Sequence, residues 1–268
     1  MSDAGVSGVA SSFYTYSIAA LIGCVVFAKH WRGIFKLPKS AIILAAVAGW
    51  TNLSYVLAVI DGEVMRVMLL FYLSPLWTLV LARFWLKEHI SRAGYIAIGV
   101  AMLGAYVMLA NPFSGNMVWP LPKNSAEWLA LSAGIGFALT NVITRKSSHL
   151  SIQAKSMLVW AGVVGMALLF AVFLGNTSPQ FSFPPPSFFN QTNWLVMGFI
   201  ALFLMSATML VQYGVTQIEA TRASILFMFE LVVAAIAAYF LANETMAFNE
   251  WIGGSLIIVA ALFAAFNH

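Results

Sequence analysis

One acidic side chain lies deep within a long apolar stretch of the chain. Glu230 follows Arg222 by eight residues, roughly 12 Å along a helix that rises about 1.5 Å per residue. If that stretch crosses a membrane, the carboxyl lies near the midplane, where an ionisable group costs at least about 2.5 kcal/mol and usually faces a cavity or a partner. Burial would favour the protonated form, which makes Glu230 a candidate site for a coupling proton, a cation or a substrate. The alternative is a neutral Glu that is hydrogen-bonded to a neighbouring helix.

Polar and aromatic side chains at a similar depth could complete a pocket with this acid. They are Trp50, Asn52, Tyr55, Tyr72, Ser74, Trp77, Asn141 and Gln212. Aromatic faces suit amphipathic metabolites, aromatic amino acids or cationic drugs. The ordinary alternative for these residues is packing or anchoring at a membrane interface. Pro75 removes one helical hydrogen bond, so it is predicted to kink its helix and to turn a carbonyl toward the pocket.

Composition defines the elements that must hold these residues. Hydrophobic residues make up 62% of the 268 and charged residues 8%, against about 25% charged in a soluble domain. A soluble chain could not hide so much apolar surface from water. In lipid, each backbone N–H and C=O must be paired within its own segment or in a closed barrel, and these apolar runs are too long for barrel strands. The sequence therefore predicts an all-α membrane protein.

About nine transmembrane helices are expected, since a helix needs about 20 apolar residues to span a bilayer. The predicted spans are 6–28, 41–60, 64–86, 92–110, 126–144, 151–175, 194–217, 222–242 and 249–266. The connections are short, apart from 111–125 and a segment at 176–193 that contains three consecutive prolines. Three prolines cannot continue a helix, so this segment is predicted to be a surface loop.

The positive charges predict the orientation. With the N-terminus outside and the C-terminus in the cytoplasm, all but Arg66 and Lys123 of the 13 Lys and Arg lie on the cytoplasmic side. The same bias explains the net charge of +4, so no nucleic-acid partner is expected. The lipid bilayer is the expected partner, and the predicted location is the inner (plasma) membrane, with several passes.

An internal repeat divides the chain. Three charged residues recur 156 positions later, namely Glu63, Arg66 and Glu88 as Glu219, Arg222 and Glu244. In each copy the first acid lies near a helix N-terminus, where negative charge is favoured, and the Arg three residues on can pair with it. These six residues are therefore predicted to have structural roles at helix ends. Five spans separate the two copies, and this odd number predicts that the second copy crosses the membrane in the opposite sense.

These residues also resemble a known family. The segments LSPLW (73–77) and FWLKEHI (84–90) are similar to the second part of an EamA domain, and LFMFEL (226–231), FLANE (240–244) and Gly253-Gly254 match it again. The EamA domain is the repeated unit of the drug/metabolite transporter superfamily, and the resemblance covers nearly the whole chain. It implies a secondary carrier of a small organic metabolite, expected to export its substrate by alternating access with a cavity at the midplane.

The chain departs from the family pattern in places. It begins where the second helix of the family is expected, so residues 1–110 form a first repeat of four helices, 111–125 an external linker and 126–268 a second repeat of five. Lys87 and Asn243 stand where a Gly is usual, and Leu231 stands where a Pro is usual. The missing helix normally lines the central cavity, so an inactive or accessory subunit of a transport complex is the second hypothesis.

An enzyme is the third class considered, and the motifs argue against it. The four His residues lie in loops or at the terminus without ligand spacing, and no nucleophile turn, phosphate loop or dinucleotide fingerprint is present. No cofactor, metal site or catalytic residue is therefore predicted. The sequence leaves open the substrate, proton coupling and the association of two copies as a homodimer.

Overall fold

The computed structural model describes residues 7–28, 39–110, 121–175, 181, 183–241 and 247–266. Within these residues the chain is helical, with no strand. The ten α-helices are α1 (Gly8–Val26), α2 (Lys39–Asp61), α3 (Val64–Phe71), α4 (Ser74–Leu81), α5 (Arg92–Ala110), α6 (Ser125–Lys146), α7 (Ile152–Leu174), α8 (Gln191–Gln217), α9 (Ala220–Leu241) and α10 (Phe248–Phe266).

The helices match the predicted spans. Eight helical segments of the described chain are long and apolar enough to cross a membrane, and a shorter apolar helix follows at Phe248–Ala264. The prediction of an all-α membrane protein with about nine spans is therefore confirmed. The third span, Val64–Leu86, contains both α3 and α4, so it is one crossing with a break inside it.

The break in the third span lies just before Pro75, which occupies the first turn of α4. Proline has no N–H to donate to the Phe71 carbonyl four residues earlier, so α3 ends there. Gly134 of α6 packs against this point, since a Cβ at Gly134 would lie 2.8 Å from the same carbonyl oxygen. A wide π-helical turn, Ala82–Leu86, ends the span at Lys87, which adopts a left-handed conformation with φ 56°.

The chain divides into two compact units, and each takes helices from both predicted repeats. The first unit combines Met1–Ile60 with Ile143–Gln217. It therefore contains α1, α7 and α8 in full, and α2 except for its last residue. The second combines Asp61–Val142 with Ile218–His268, and so contains α3, α4, α5, α9, α10 and most of α6.

The first unit is built on close helix crossings. Gly49 of α2 and Gly162 of α7 meet so closely that a methyl group on either would overlap the backbone of the other helix. Trp160 is fully buried among α1, α7 and α8. Pro184, the first of the three consecutive prolines, lies against α1, where the Tyr14 hydroxyl donates to its carbonyl.

The second unit is centred on α5 and α10. A Cβ at Gly104 would lie 2.7 Å from the Gly253 carbonyl oxygen, so the two backbones are in direct contact. Asn249 donates from Nδ2 to the Met108 carbonyl at 2.9 Å and joins the same two helices. Inside lipid no hydrophobic effect drives helices together. Small residues at such a crossing let the two backbones approach closely, so that van der Waals contacts stabilise it.

Candidate functional site

Glu230 lies on an exposed face of α9, together with Leu226, Phe229 and Val233. The burial that its depth predicted is therefore wrong for the side chain. Spacing from Arg222 gives the distance along the helix axis, but the side to which a residue points depends on what packs against α9. The carboxyl group is accessible along one side of the second unit, next to apolar side chains.

The other candidates in the second unit lie on the broken third span and on α6. Tyr72 lies at the break and packs into the core with Leu69, and its exposed fraction is 6%. Ser74 begins α4 and is buried. Trp77 Nε1 and Asn141 Nδ2 are both buried, and neither has a hydrogen-bond partner among the described residues.

The candidates in the first unit lie on α2 and α8. The ring of Trp50 is 6.2 Å from that of Phe170, and Asn52 donates from Nδ2 to the Tyr16 hydroxyl at 3.4 Å. Tyr55 is half-buried. The exposed fraction of Gln212 is 4%, and its Oε1 is buried with no hydrogen-bond partner in the described part of the chain.

Three of the nine candidates thus carry a buried polar atom that no protein group satisfies within the described ranges. The indole N–H of Trp77 and the amide N–H of Asn141 are donors, and the amide oxygen of Gln212 is an acceptor. A buried polar group without a partner costs about 1–3 kcal/mol, and native structures contain few of them. Such atoms are suited to contact a polar ligand that enters from water.

The first predicted helix-end pair is wrong, because Arg66 pairs with Glu127 of α6. The guanidinium donates from Nε to Oε1 at 2.6 Å and from Nη2 to Oε2 at 2.8 Å. Glu127 also accepts the backbone N–H of Lys123 at 2.8 Å. Glu63 is exposed at the start of α3 and makes no side-chain capping hydrogen bond. A bidentate contact to a buried carboxylate outweighs the (i, i+3) contact that spacing alone suggested.

In the second copy, Arg222 contacts Glu219 at 3.1 Å, as the spacing predicted. Glu88 accepts the Ala220 backbone N–H at 3.3 Å and so caps the start of α9 from the end of the third span. Glu244 lies outside the described residues. A cavity of about 130 Å³ is lined by Glu88, Glu219 and Arg222, and none of the substrate candidates lines it.

The described part of the chain contains no cluster of three potential metal ligands.

Lys155 is a buried residue that the sequence reasoning passed over. It lies in the first turn of α7, has an exposed fraction of 0%, and hydrogen-bonds to Thr216 and Thr144. A charged residue at the start of an apolar span is usually assigned to the interface. One feature of the sequence could have indicated its burial. Lys155 lies four residues inside the predicted span that starts at Ser151, which is the N-cap of α7.

Comparisons with known proteins agree with this architecture. The EamA-like transporter family matches residues 2–110 and 124–266. The S-adenosylmethionine uptake transporter of Rickettsia prowazekii is 29% identical over 263 residues, which cover 95% of this chain and 81% of that protein. An uncharacterized transporter of Pseudomonas aeruginosa is 26% identical over 168 residues, 59% of this chain, and the match spans 52% of its own length.

A solved crystal structure has the same fold. It superposes with a TM-score of 0.75 over 97% of this chain and 88% of its own, at 15% sequence identity. At that identity the likeness supports the fold and carries nothing about the substrate.

Proposed function

Since the chain belongs to the EamA-like transporter family, we propose that it is a secondary carrier that moves a small organic metabolite across the plasma membrane by alternating access. The observation that carries the proposal is the family match over residues 2–110 and 124–266. Three of the ten buried polar atoms without a partner in the described chain lie on the candidates Trp77, Asn141 and Gln212, and they support it.

The residues favour an amphipathic substrate that carries a positive charge. Glu230 places a carboxylate on an exposed face of a transmembrane helix, and Trp50, Tyr55 and Trp77 have aromatic faces of the kind that attracts cations. In the second unit Trp77 and Asn141 each provide a donor for a polar group of a substrate, and in the first unit Gln212 provides an acceptor. Glu230 serves in this proposal as the polar contact or as the carrier of a coupling proton.

Export and uptake are the two directions to distinguish. The resemblance to drug/metabolite transporters predicts export. The relative from Rickettsia prowazekii is named for uptake of S-adenosylmethionine, a molecule with a sulfonium cation and an aromatic base, which fits the chemistry just described. Uptake of S-adenosylmethionine, or of a similar cation, is therefore the second candidate.

Transport by purified protein in vesicles tests the proposal. Vesicles loaded with unlabelled S-adenosylmethionine, aromatic amino acids or cationic drugs are diluted into the labelled compound, and exchange is measured on both faces of the membrane. We expect counterflow for at least one compound. Absence of counterflow for every class, from protein that is folded and inserted, would favour the accessory-subunit hypothesis.

The role of Glu230 is tested by Glu230→Gln, with Glu63→Gln as the matched control. Glu63 is also exposed and makes no capping contact, so its substitution removes a carboxylate without altering the candidate pocket. We expect E230Q to reduce counterflow by about tenfold or to change its pH dependence, while E63Q behaves as the parent does. Parental pH behaviour and rate in E230Q would refute the role.

A further inference from the structure

The first turn of α7 carries a lysine that is fully enclosed by protein. Lys155 donates from Nζ to the Thr216 hydroxyl at 2.5 Å and to the Thr144 carbonyl at 3.4 Å. The Thr216 hydroxyl donates in turn to the Gln212 carbonyl at 2.6 Å. Thr144 lies in the last turn of α6 and Thr216 in the last turn of α8, so one amine joins α7 and α8 to the end of α6, all within Ile143–Gln217 of the first unit.

A second cation contacts the same threonine. Arg145 donates from Nη1 to the Thr216 backbone carbonyl, so the two oxygen atoms of Thr216 accept from two different cationic side chains. Carbonyls at helix C-terminal ends favour positive charge. The guanidinium of Arg145 places a second positive charge at the same threonine, and the Lys155 amine is shielded from water.

No acid of the described chain takes part in these contacts. Within the described ranges, the contacts of Lys155 are neutral oxygens, and no carboxylate lies within ion-pair distance of its Nζ. The other titratable groups among the described residues of the first unit include no acid. They are Tyr14, Tyr16 and Cys24 on α1, Lys39 and Tyr55 on α2, Arg145 and Lys146 on α6, His149 in the following turn and Tyr213 on α8. Loss of a proton from Lys155 leaves no buried negative charge behind.

We propose that Lys155 is a proton-binding site of the carrier, an inference that rests on the proposed transport function. The charged amine holds the start of α7 against the ends of α6 and α8. When the proton leaves to water, the neutral amine keeps two N–H groups, but hydrogen bonds from a charged donor are about twice as strong as those from a neutral one. The junction at Thr144 and Thr216 therefore loosens, and proton binding favours the conformation in which this end of the unit is closed.

Accessibility of a buried neighbour tests the site without a substrate. Ser147 follows α6 and has an exposed fraction of 1%, and we expect a cysteine there to become accessible when this end opens. Cys24 is the single cysteine, so S147C is introduced together with C24A. The rate of maleimide labelling is measured in vesicles from about pH 6.5 to about pH 9.5, a range that a lysine in a protein can titrate across. The same protein with K155R, whose charge is fixed, corrects for the pH dependence of the thiol itself.

The measured quantity is the labelling rate of the parent divided by that of K155R. We expect this ratio to be near 1 at low pH and to rise by about threefold or more at high pH. K155M, which cannot carry the charge, is expected to label fast at every pH. A ratio that stays constant across the range overturns the proposal. If K155R fails to fold, hydrogen exchange of the backbone amides in the first turn of α7 is measured instead, in the unmodified protein. The rates are corrected for the intrinsic pH dependence of exchange. Protection that does not change with pH would then overturn the proposal.

The outcome is separable from that of the proposed function. Flat labelling in a protein that performs counterflow removes the role of Lys155 and leaves the carrier assignment intact. Labelling that depends on pH in a protein without counterflow for any compound removes the carrier assignment and leaves a proton-sensitive junction at Thr216.

Discussion

The guanidinium of Arg66 forms a bidentate ion pair with the carboxylate of Glu127, which lies 61 residues further along the chain. The contact joins the start of α3 to the start of α6, and Glu127 is nearly buried, with 3% of its side chain exposed. Removing one partner of such a partly buried pair leaves a charged group without its hydrogen bonds, which costs about 1–3 kcal/mol. We expect Glu127→Ala to lower the free energy of unfolding in detergent by about this amount, measured by thermal or denaturant unfolding.

Glu63→Ala is the control for this pair, because spacing alone assigned Arg66 to Glu63. The side chain of Glu63 is exposed and makes no capping hydrogen bond, so its loss should change stability by at most about 0.5 kcal/mol. Equal effects of the two substitutions would contradict the structural assignment of the pair.

Lys87 provides a second prediction, because it holds a conformation that favours glycine. Its φ of 56° and ψ of 29° lie in the left-handed region, which costs an L-residue with a Cβ about 1–2 kcal/mol. Glycine avoids this penalty but loses more entropy on folding. We expect Lys87→Gly to raise the unfolding free energy by about 0.5–1 kcal/mol and Lys87→Val to lower it, because a β-branched residue tolerates positive φ poorly.

Gly104 and Gly99 lie on the same helix and test the contact between α5 and α10. A methyl group at Gly104 would press against the backbone of Gly253, whereas nothing lies within 4 Å of a Cβ at Gly99. We expect Gly104→Ala to cost about 1–3 kcal/mol through overpacking. Gly99→Ala should be neutral or gain up to about 1 kcal/mol from helix propensity. Unfolding of the two variants in the same detergent measures the difference, and a Gly104→Ala protein as stable as Gly99→Ala would contradict the close crossing.

The fold could be read from the sequence because lipid imposes one strong rule. A backbone in lipid must satisfy its own hydrogen bonds, so apolar runs of sufficient length predict the helices, and Pro75 predicts the break that separates α3 from α4. The usual Gly of the family at position 87 also has a physical explanation, since the chain adopts positive φ there even with Lys.

Side-chain partners were harder to predict, because they depend on which helices pack together. Spacing suggested Glu63 for Arg66, but the approach of α6 supplies Glu127, a better acceptor. The depth of Glu230 along α9 could be counted, while the face that it occupies could not. The contacts of Lys155 could not be predicted for the same reason, since its partners Thr144 and Thr216 come from two other helices.

Gln212 offers a test that separates a binding role from a packing role. Its Oε1 is buried without a partner in the described chain, so replacement by Leu removes an unsatisfied acceptor and should leave stability unchanged or raise it by about 1 kcal/mol. If the oxygen binds substrate, the same substitution lowers the apparent affinity for the transported compound by about tenfold, equivalent to about 1.4 kcal/mol.

Asn249→Leu is the matched control, because Asn249 is not a substrate candidate and its Nδ2 donates to the Met108 carbonyl at 2.9 Å. Loss of that hydrogen bond should lower stability by about 1 kcal/mol. Unfolding and counterflow are measured on the same preparations. A Gln212→Leu protein that loses stability but transports with parental affinity would show that the amide has a structural role. The same comparison applies to Trp77→Phe, which removes the unsatisfied indole N–H.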